Sequence, residues 1–135
     1  MVPIESIENF YKTLSLLFNS IKVTDKEGNE IEFFHGIENV CSLIRIKADS
    51  GCKLMFIGNG ASAAISSHMA TDCWKNGGIR AVAFNDGSLL TCVSNDYGYK
   101  YVFEKPIEMF ADSGDILFAI IYLIVCLSQQ AFVLL

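Results

Sequence analysis

Three short stretches of this 135-residue chain bring together residue types that could do chemistry. The first is Gly58-Asn59-Gly60-Ala61-Ser62, which follows an apolar run and opens what reads as a helix. A Gly-rich turn entering a helix points backbone N–H groups and the positive end of the helix dipole at an anion. Ser62 adds a hydroxyl donor there, and Asn59 can hydrogen-bond sugar oxygens. A plain β–α turn that needs glycine for its geometry would read the same way. The second stretch is His68 with Asp72, four residues apart and so on one face of a helix. Such a pair can share a zinc ion or act as an acid/base pair on a proton next to a carbonyl. It can also be a packed histidine beside a solvated aspartate. The third is Asn95-Asp96, inside Ser94-Asn95-Asp96-Tyr97-Gly98-Tyr99. These two could reach the crevice that Asn59 faces, or form an ordinary Asx-type turn.

The elements that must position these residues follow from hydrophobic periodicity. Ile4, Ile7, Phe10 or Tyr11, Leu14, Leu17 and Ile21 recur at helical steps. A charged connection over Thr24 to Asn29 leads to a second helical period, Ile31, Phe34, Ile37, Cys41, Ile44 and Ala48, ending at Asp49-Ser50-Gly51. The two helices make an antiparallel hairpin over 1–51. The period then changes. Lys53 to Ile57, Ile79 to Phe84 and Ile116 to Ile120 read as buried strands. Between them lie helices at Ala61 to about Trp74, Ser88 to Val93, and about Tyr101 to Phe110. Strands alternating with helices imply a parallel sheet with crossover helices. Ligands in such sheets bind at the carboxyl ends of the strands, where the Gly-rich loop lies.

Composition excludes several classes. With 52% hydrophobic and 19% charged residues the chain folds around a core. A net charge of −5, with basic residues scattered, excludes a nucleic-acid partner. Five cysteines with no C-x-x-C spacing form neither a zinc ribbon nor a disulfide framework, and fit a reducing cytoplasm.

Read in order, F-I-G-N-G-A-S-A-A-I-S-S-H-M-A-T-D, A-V-A-F-N-D-G-S-L-L-T-C-V-S-N-D-Y-G-Y-K-Y-V-F and G-D-I-L-F-A-I resemble the sugar-isomerase (SIS) domain family, phosphoheptose isomerase type. The resemblance covers roughly residues 53–120. It implies a three-layer α/β/α fold with a parallel sheet, preceded by a helical hairpin, and a cytoplasmic homotetramer. The implied reaction converts sedoheptulose 7-phosphate to heptose 7-phosphate, usually with zinc, for bacterial surface-carbohydrate synthesis. By position, Asn59, Gly60 and Ala61 match the substrate loop, Ser62 the phosphate-contacting serine, and Asn95 and Asp96 a substrate-binding pair. His68 matches a zinc ligand. Asp72 falls where the family has a glutamate that binds metal and serves as catalytic base.

Beyond Ile120 the resemblance stops. The family's Ser-x-Ser-Gly-x-Ser phosphate loop and its downstream Gln and His have no counterpart, and 121–135 is an atypical apolar tail. The expectation is therefore a domain whose second half is missing, whose third strand has an unpaired edge or an uncovered face, and whose isomerase activity is impaired. A frameshift or early stop would account for the switch. Two other readings stand beside it. One is a non-catalytic SIS module that binds a sugar phosphate or a protein partner as a regulator. The other makes 116–135 a membrane anchor, which the Ser128-Gln129-Gln130 interruption and the lack of interfacial Lys, Arg or Trp disfavour.

Overall fold

The computed structural model describes residues 4–121 and 130–134. The chain divides into two compact units, Met1–Leu43 and Ile44–Leu135.

In the first unit, helix α1 (Ile4–Asn19) is followed by a two-stranded antiparallel ribbon, β1 (Val23–Thr24) and β2 (Glu30–Ile31), and then by the start of helix α2 (Phe33–Asp49). The charged connection is thus a turn with its own hydrogen bonds. Asp25 Oδ1 accepts from the N–H groups of Glu27 and Asn29 at 3.0 and 2.8 Å, and its Oδ2 accepts from Asn29 Nδ2 at 2.9 Å. The Asn29 side chain, together with these backbone donors, holds the Asp25 carboxyl below its ordinary value. Ile31, which periodicity places in the second helix, belongs to the ribbon. The helix proper starts two residues later, where Glu32 Oε2 accepts from His35 N at 2.8 Å as an N-cap. Gly36 is buried on this helix because Val23 of the ribbon lies where a side chain would go: an added Cβ would meet Val23 Cγ1 at 2.6 Å.

The second unit contains the sheet. Strands β3 (Leu54–Gly58), β4 (Ala81–Ala83), β5 (Ile116–Ile121) and β6 (Gln130–Leu134) lie in the order β4-β3-β5-β6. β3 pairs in parallel with both β4 and β5, as the alternation of strands and helices requires. Helix α3 (Ala61–Gly77) connects β3 to β4. Helix α4 (Gly87–Tyr97), a 3₁₀ turn (Tyr99–Tyr101) and helix α5 (Glu104–Phe110) connect β4 to β5. All five residues of β3 are buried, as expected of a central strand covered on both faces. On one face Phe56 stacks on Phe118 with ring centroids 4.9 Å apart, and Gly58 lies against Ser62 and Ser66 of α3. On the other, Met55, Ile57, Phe84 and Ala119 form a core packed by Leu89, Phe103 and Ile107 from the α4–α5 segment. The result is the expected α/β/α layering.

Two expectations change. The third strand has no unpaired edge here, the first of the two alternatives expected of it: β6 pairs antiparallel with β5, from Leu117↔Leu134 to Ile121↔Gln130. The helix expected over Ser88–Val93 continues to Tyr97, so Asn95 and Asp96 stand in its last turn and not in a turn after it. Asp86 caps its start, accepting from Ser88 N and Leu89 N at 2.9 and 3.0 Å. Gly98, at φ 97°, ends it. The expected anchor and the residues standing in place of the phosphate loop fall largely on 122–129, outside the described residues. Among the described residues no helix is long and apolar enough to cross a membrane.

The end of the sheet opposite the Gly-rich loop, where β3 and β5 begin, is tied by an ion-pair cluster. Lys53 lies just before β3, and Asp115 just before β5. Asp115 Oδ1 accepts from Lys53 N at 2.8 Å, and its Oδ2 accepts from Asp112 N at 2.8 Å and pairs with Lys53 Nζ. Asp112 Oδ2 makes a second ion pair with the same ammonium at 2.7 Å. The side chains of Asp115 and Lys53 are only 3% and 13% exposed.

Candidate functional site

Two geometric facts fix the loop after β3. Gly60 has φ 57° and ψ −125°, a backbone conformation that favours glycine. Gly58 is packed so closely that an added Cβ would meet Ser62 O at 2.7 Å and Ser66 Oγ at 2.9 Å. The N–H groups of Ser62 and Ala63 fold back onto the carbonyls of Asn59 and Gly60 at 3.0 and 3.1 Å. Among the described residues the N–H groups of Gly60 and Ala61 have no acceptor, and they are the donors an anion at this helix start would use. The Ser62 hydroxyl, half-buried beside them, also makes no hydrogen bond among the described residues. Because backbone lies where the Gly58 Cβ would go, Gly58→Ala is expected to push the first turn of α3 off the sheet. The cost is about 1–3 kcal/mol of stability, typical of overpacking, and denaturant unfolding would measure it. An unchanged midpoint would show that the close approach is not tight in solution.

Asn59 reaches across the loop. Its Nδ2 donates to the Tyr99 hydroxyl at 2.6 Å. Tyr99 in turn lines an open cleft of about 330 Å³ with Leu90, Thr91, Ser94 and Asn95. Of the residues singled out from sequence, Asn95 lines this cleft and Asn59 is joined to it through Tyr99. Asp96 is not among its lining residues. Its Oδ1 accepts from Asn95 Nδ2 at 2.9 Å, and its Oδ2 lies 3.7 Å from Cys92 Sγ. Asp96 thereby sets the direction of the Asn95 amide. Asn85, just after β4, donates to Ala63 O at 2.9 Å and ties the first turn of α3 to that strand. Sequence reasoning missed Tyr99 and Asn85. Tyr99 closes the Ser94–Tyr99 stretch, one residue past Gly98, but nothing local marked it as a partner of Asn59.

His68 and Asp72 do meet as their spacing demands, with Nε2 to Oδ2 at 3.3 Å. They lie elsewhere on the helix. His68 follows the fully buried Ser66 by two residues, a rotation of roughly 200° around the helix axis, and its side chain is 78% exposed. The pair therefore faces away from the sheet and does not line the cleft. Asp72 also accepts from Asn76 Nδ2, at 3.1 Å. A catalytic zinc takes three protein ligands, and among the described residues no group of three donors stands together. Burial, and then the Asp72 charge, push the thiol of the neighbouring Cys73 up. The donors present do not form a self-contained zinc site.

Comparison with known proteins agrees with the fold. No protein-family model matches the chain. A phosphoheptose isomerase of Tolumonas auensis is 35% identical over 96 residues, covering 67% of this chain and 50% of that protein. One from Campylobacter concisus is 31% identical over 113 residues, covering 78% and 60%, and one from Geobacter sulfurreducens is 38% identical over 90 residues, covering 60% and 48%. Among solved structures, the phosphoheptose isomerase of Neisseria gonorrhoeae superposes with a TM-score of 0.57 at 32% identity, over 61% of this chain and 45% of that one. That of Francisella tularensis superposes over 88% of this chain and 60% of that one with a TM-score of 0.68; at 21% identity it speaks to the fold alone. The chain spans about half the length of the curated relatives it matches. With these relatives in sequence and structure, the chain belongs to the phosphoheptose isomerase family of SIS proteins.

Proposed function

We propose that this chain binds a phosphosugar at the Gly58–Ser62 loop and belongs to an aldose–ketose isomerase that interconverts sedoheptulose 7-phosphate and heptose 7-phosphate. The observation that carries this reading is the loop itself: Gly60 in a glycine-favouring conformation and a helix start with no side-chain cap, opening beside a cleft that Asn95 and Tyr99 line. The N–H groups of Gly60 and Ala61 and the Ser62 hydroxyl would take the phosphate, while Asn59 and Asn95 would orient sugar hydroxyls. Isomerisation moves one proton between adjacent carbons through an enediol, and Asp72, held by His68 and Asn76, is the carboxylate assigned to that transfer. Because Asp72 faces away from the cleft of its own chain, it would act on a sugar held at the loop of a neighbouring copy in the proposed oligomer. Zinc enters this proposal only as an ion that His68 and Asp72 would hold with donors from elsewhere, where it would polarise the substrate carbonyl. A cytoplasmic homotetramer is part of the same proposal, supported by five cysteines without disulfide spacing and by the apolar residues of α1, none of which is buried.

A second reading is favoured by the separation of His68–Asp72 from the cleft. The chain would then bind the sugar phosphate without turning it over. One experiment separates the two. The protein is incubated with sedoheptulose 7-phosphate in D₂O, and deuterium at the carbons flanking the carbonyl is followed by NMR, with calorimetry for binding. Exchange above the buffer rate supports the isomerase; binding without exchange supports the binding module; absence of binding removes both.

A further inference from the structure

We propose that Tyr99 is a substrate-positioning residue of this site, holding the Asn59 amide in place and presenting its own hydroxyl proton to a sugar oxygen. This rests on the phosphosugar reading above and names a residue beyond it.

The Asn59 side chain is exposed, on a loop between Gly58 and Gly60. Its one side-chain hydrogen bond among the described residues is to Tyr99 Oη, at 2.6 Å. In that bond the amide N–H donates and the phenol oxygen accepts, so the phenol proton remains to be given away. Tyr99 also borders the cleft beside Asn95. It therefore joins the two elements that carry the site's amides, the loop after β3 and the end of α4. Gly98 makes this possible: at φ 97° and ψ 149° it stops α4 and sends the chain into the 3₁₀ turn that begins at Tyr99. A phenylalanine would keep the ring against the cleft and lose both hydrogen bonds.

The test compares the full chain with its Tyr99→Phe, Asn59→Ala and double variants. Calorimetry with sedoheptulose 7-phosphate and, separately, inorganic phosphate reads binding, and ¹⁵N-edited NMR reads the Asn59 side-chain amide. Tyr99→Phe is expected to shift the Asn59 amide signals and to weaken sugar-phosphate binding up to about tenfold, the scale of one or two lost hydrogen bonds. Inorganic phosphate, which meets only the loop and Ser62, should bind unchanged. In the Asn59→Ala background the further loss should shrink, since the two residues act together. An unmoved Asn59 amide overturns the proposal whatever the binding result. Equal sugar-phosphate affinity of wild type and Tyr99→Phe overturns it while leaving the phosphosugar reading intact. A wild-type chain that binds no sugar phosphate fells both.

Discussion

Asp115→Ala is expected to lower the unfolding free energy by about 3–5 kcal/mol, the cost of breaking a buried ion pair by removing one partner. The substitution removes more than a charge. The Asp115 carboxylate accepts from two backbone N–H groups, those of Lys53 and Asp112, and also pairs with the Lys53 ammonium. Without it both N–H groups lose their acceptor, and an ammonium only 13% exposed is left with Asp112 alone, whose side chain is 81% exposed. Because Lys53 and Asp115 immediately precede the paired residues Leu54 and Ile116, the lost bonds also loosen the register of β3 on β5. Asp115→Asn, which keeps an acceptor oxygen, should cost less. Urea unfolding measures both, and a loss below about 1 kcal/mol for the alanine variant would mean that the pair adds no more than a surface salt bridge.

The same cluster sets a pH dependence. Burial alone would raise the Asp115 carboxyl, but the Lys53 side chain and the two backbone N–H groups outweigh it and hold the carboxyl below its ordinary value. A group depressed in the folded state stabilises above its unfolded value, near about 3.9 for aspartate, and that stability is lost as pH falls through the folded value. Lys53 is shifted the other way, raised by its hydrogen bonds to Asp112 and then Asp115. Its contribution is complete below the unfolded lysine value, near about 10.4, and is lost only as pH rises through the higher folded one. The cluster's contribution is therefore flat through neutral pH and declines at both extremes. Asp115→Asn should flatten the acid limb of stability against pH.

This cluster shows which parts of the molecule the sequence could reveal. The three parallel strands announced themselves as short apolar runs, because a strand covered on both faces has no polar positions to alternate with. His68 and Asp72 were legible for an equally local reason, the four-residue step of a helix. Lys53 and Asp115 are 62 residues apart and meet only because β3 and β5 are neighbours, so no periodicity could pair them. Tyr99 and Asn59, 40 residues apart, were hidden for the same reason. The length of α4 failed differently. Ser94, Asn95 and Asp96 read as a turn because such side chains compete for nearby backbone groups. Here the amide of Asn95 bonds Asp96 instead, and the Asp86 cap and the Gly98 stop set the helix ends. The β1–β2 ribbon was missed because two-residue strands are too short to show a period, although the Asp25–Asn29 turn that closes it was visible as a charged, Gly-containing segment.

The largest effect is expected on the outer face of α3. If the chain belongs to an isomerase as proposed, His68→Ala and Asp72→Asn should each lower turnover by about 10²–10⁴-fold, the range supplied by positioned acid–base groups. The double variant should be little worse than either single one. The two side chains meet at 3.3 Å, so under that proposal they would act as one unit, and losing either member would disable it. Asn76→Ala offers a graded control, since Asn76 touches only the second carboxylate oxygen of Asp72 and should cost far less. Asp72→Glu moves the carboxylate outward by one methylene, and is expected to raise turnover if the shorter side chain leaves the carboxylate about 1 Å from its working position. Turnover of sedoheptulose 7-phosphate is measured for this chain and for a chimera joining residues 1–120 to the second half of the Tolumonas auensis relative. Multiplying, independent losses would show that His68 and Asp72 do not share a role. Full activity in both single variants would remove the outer face of α3 from the reaction and leave the Asn59–Tyr99 cleft as a binding site alone.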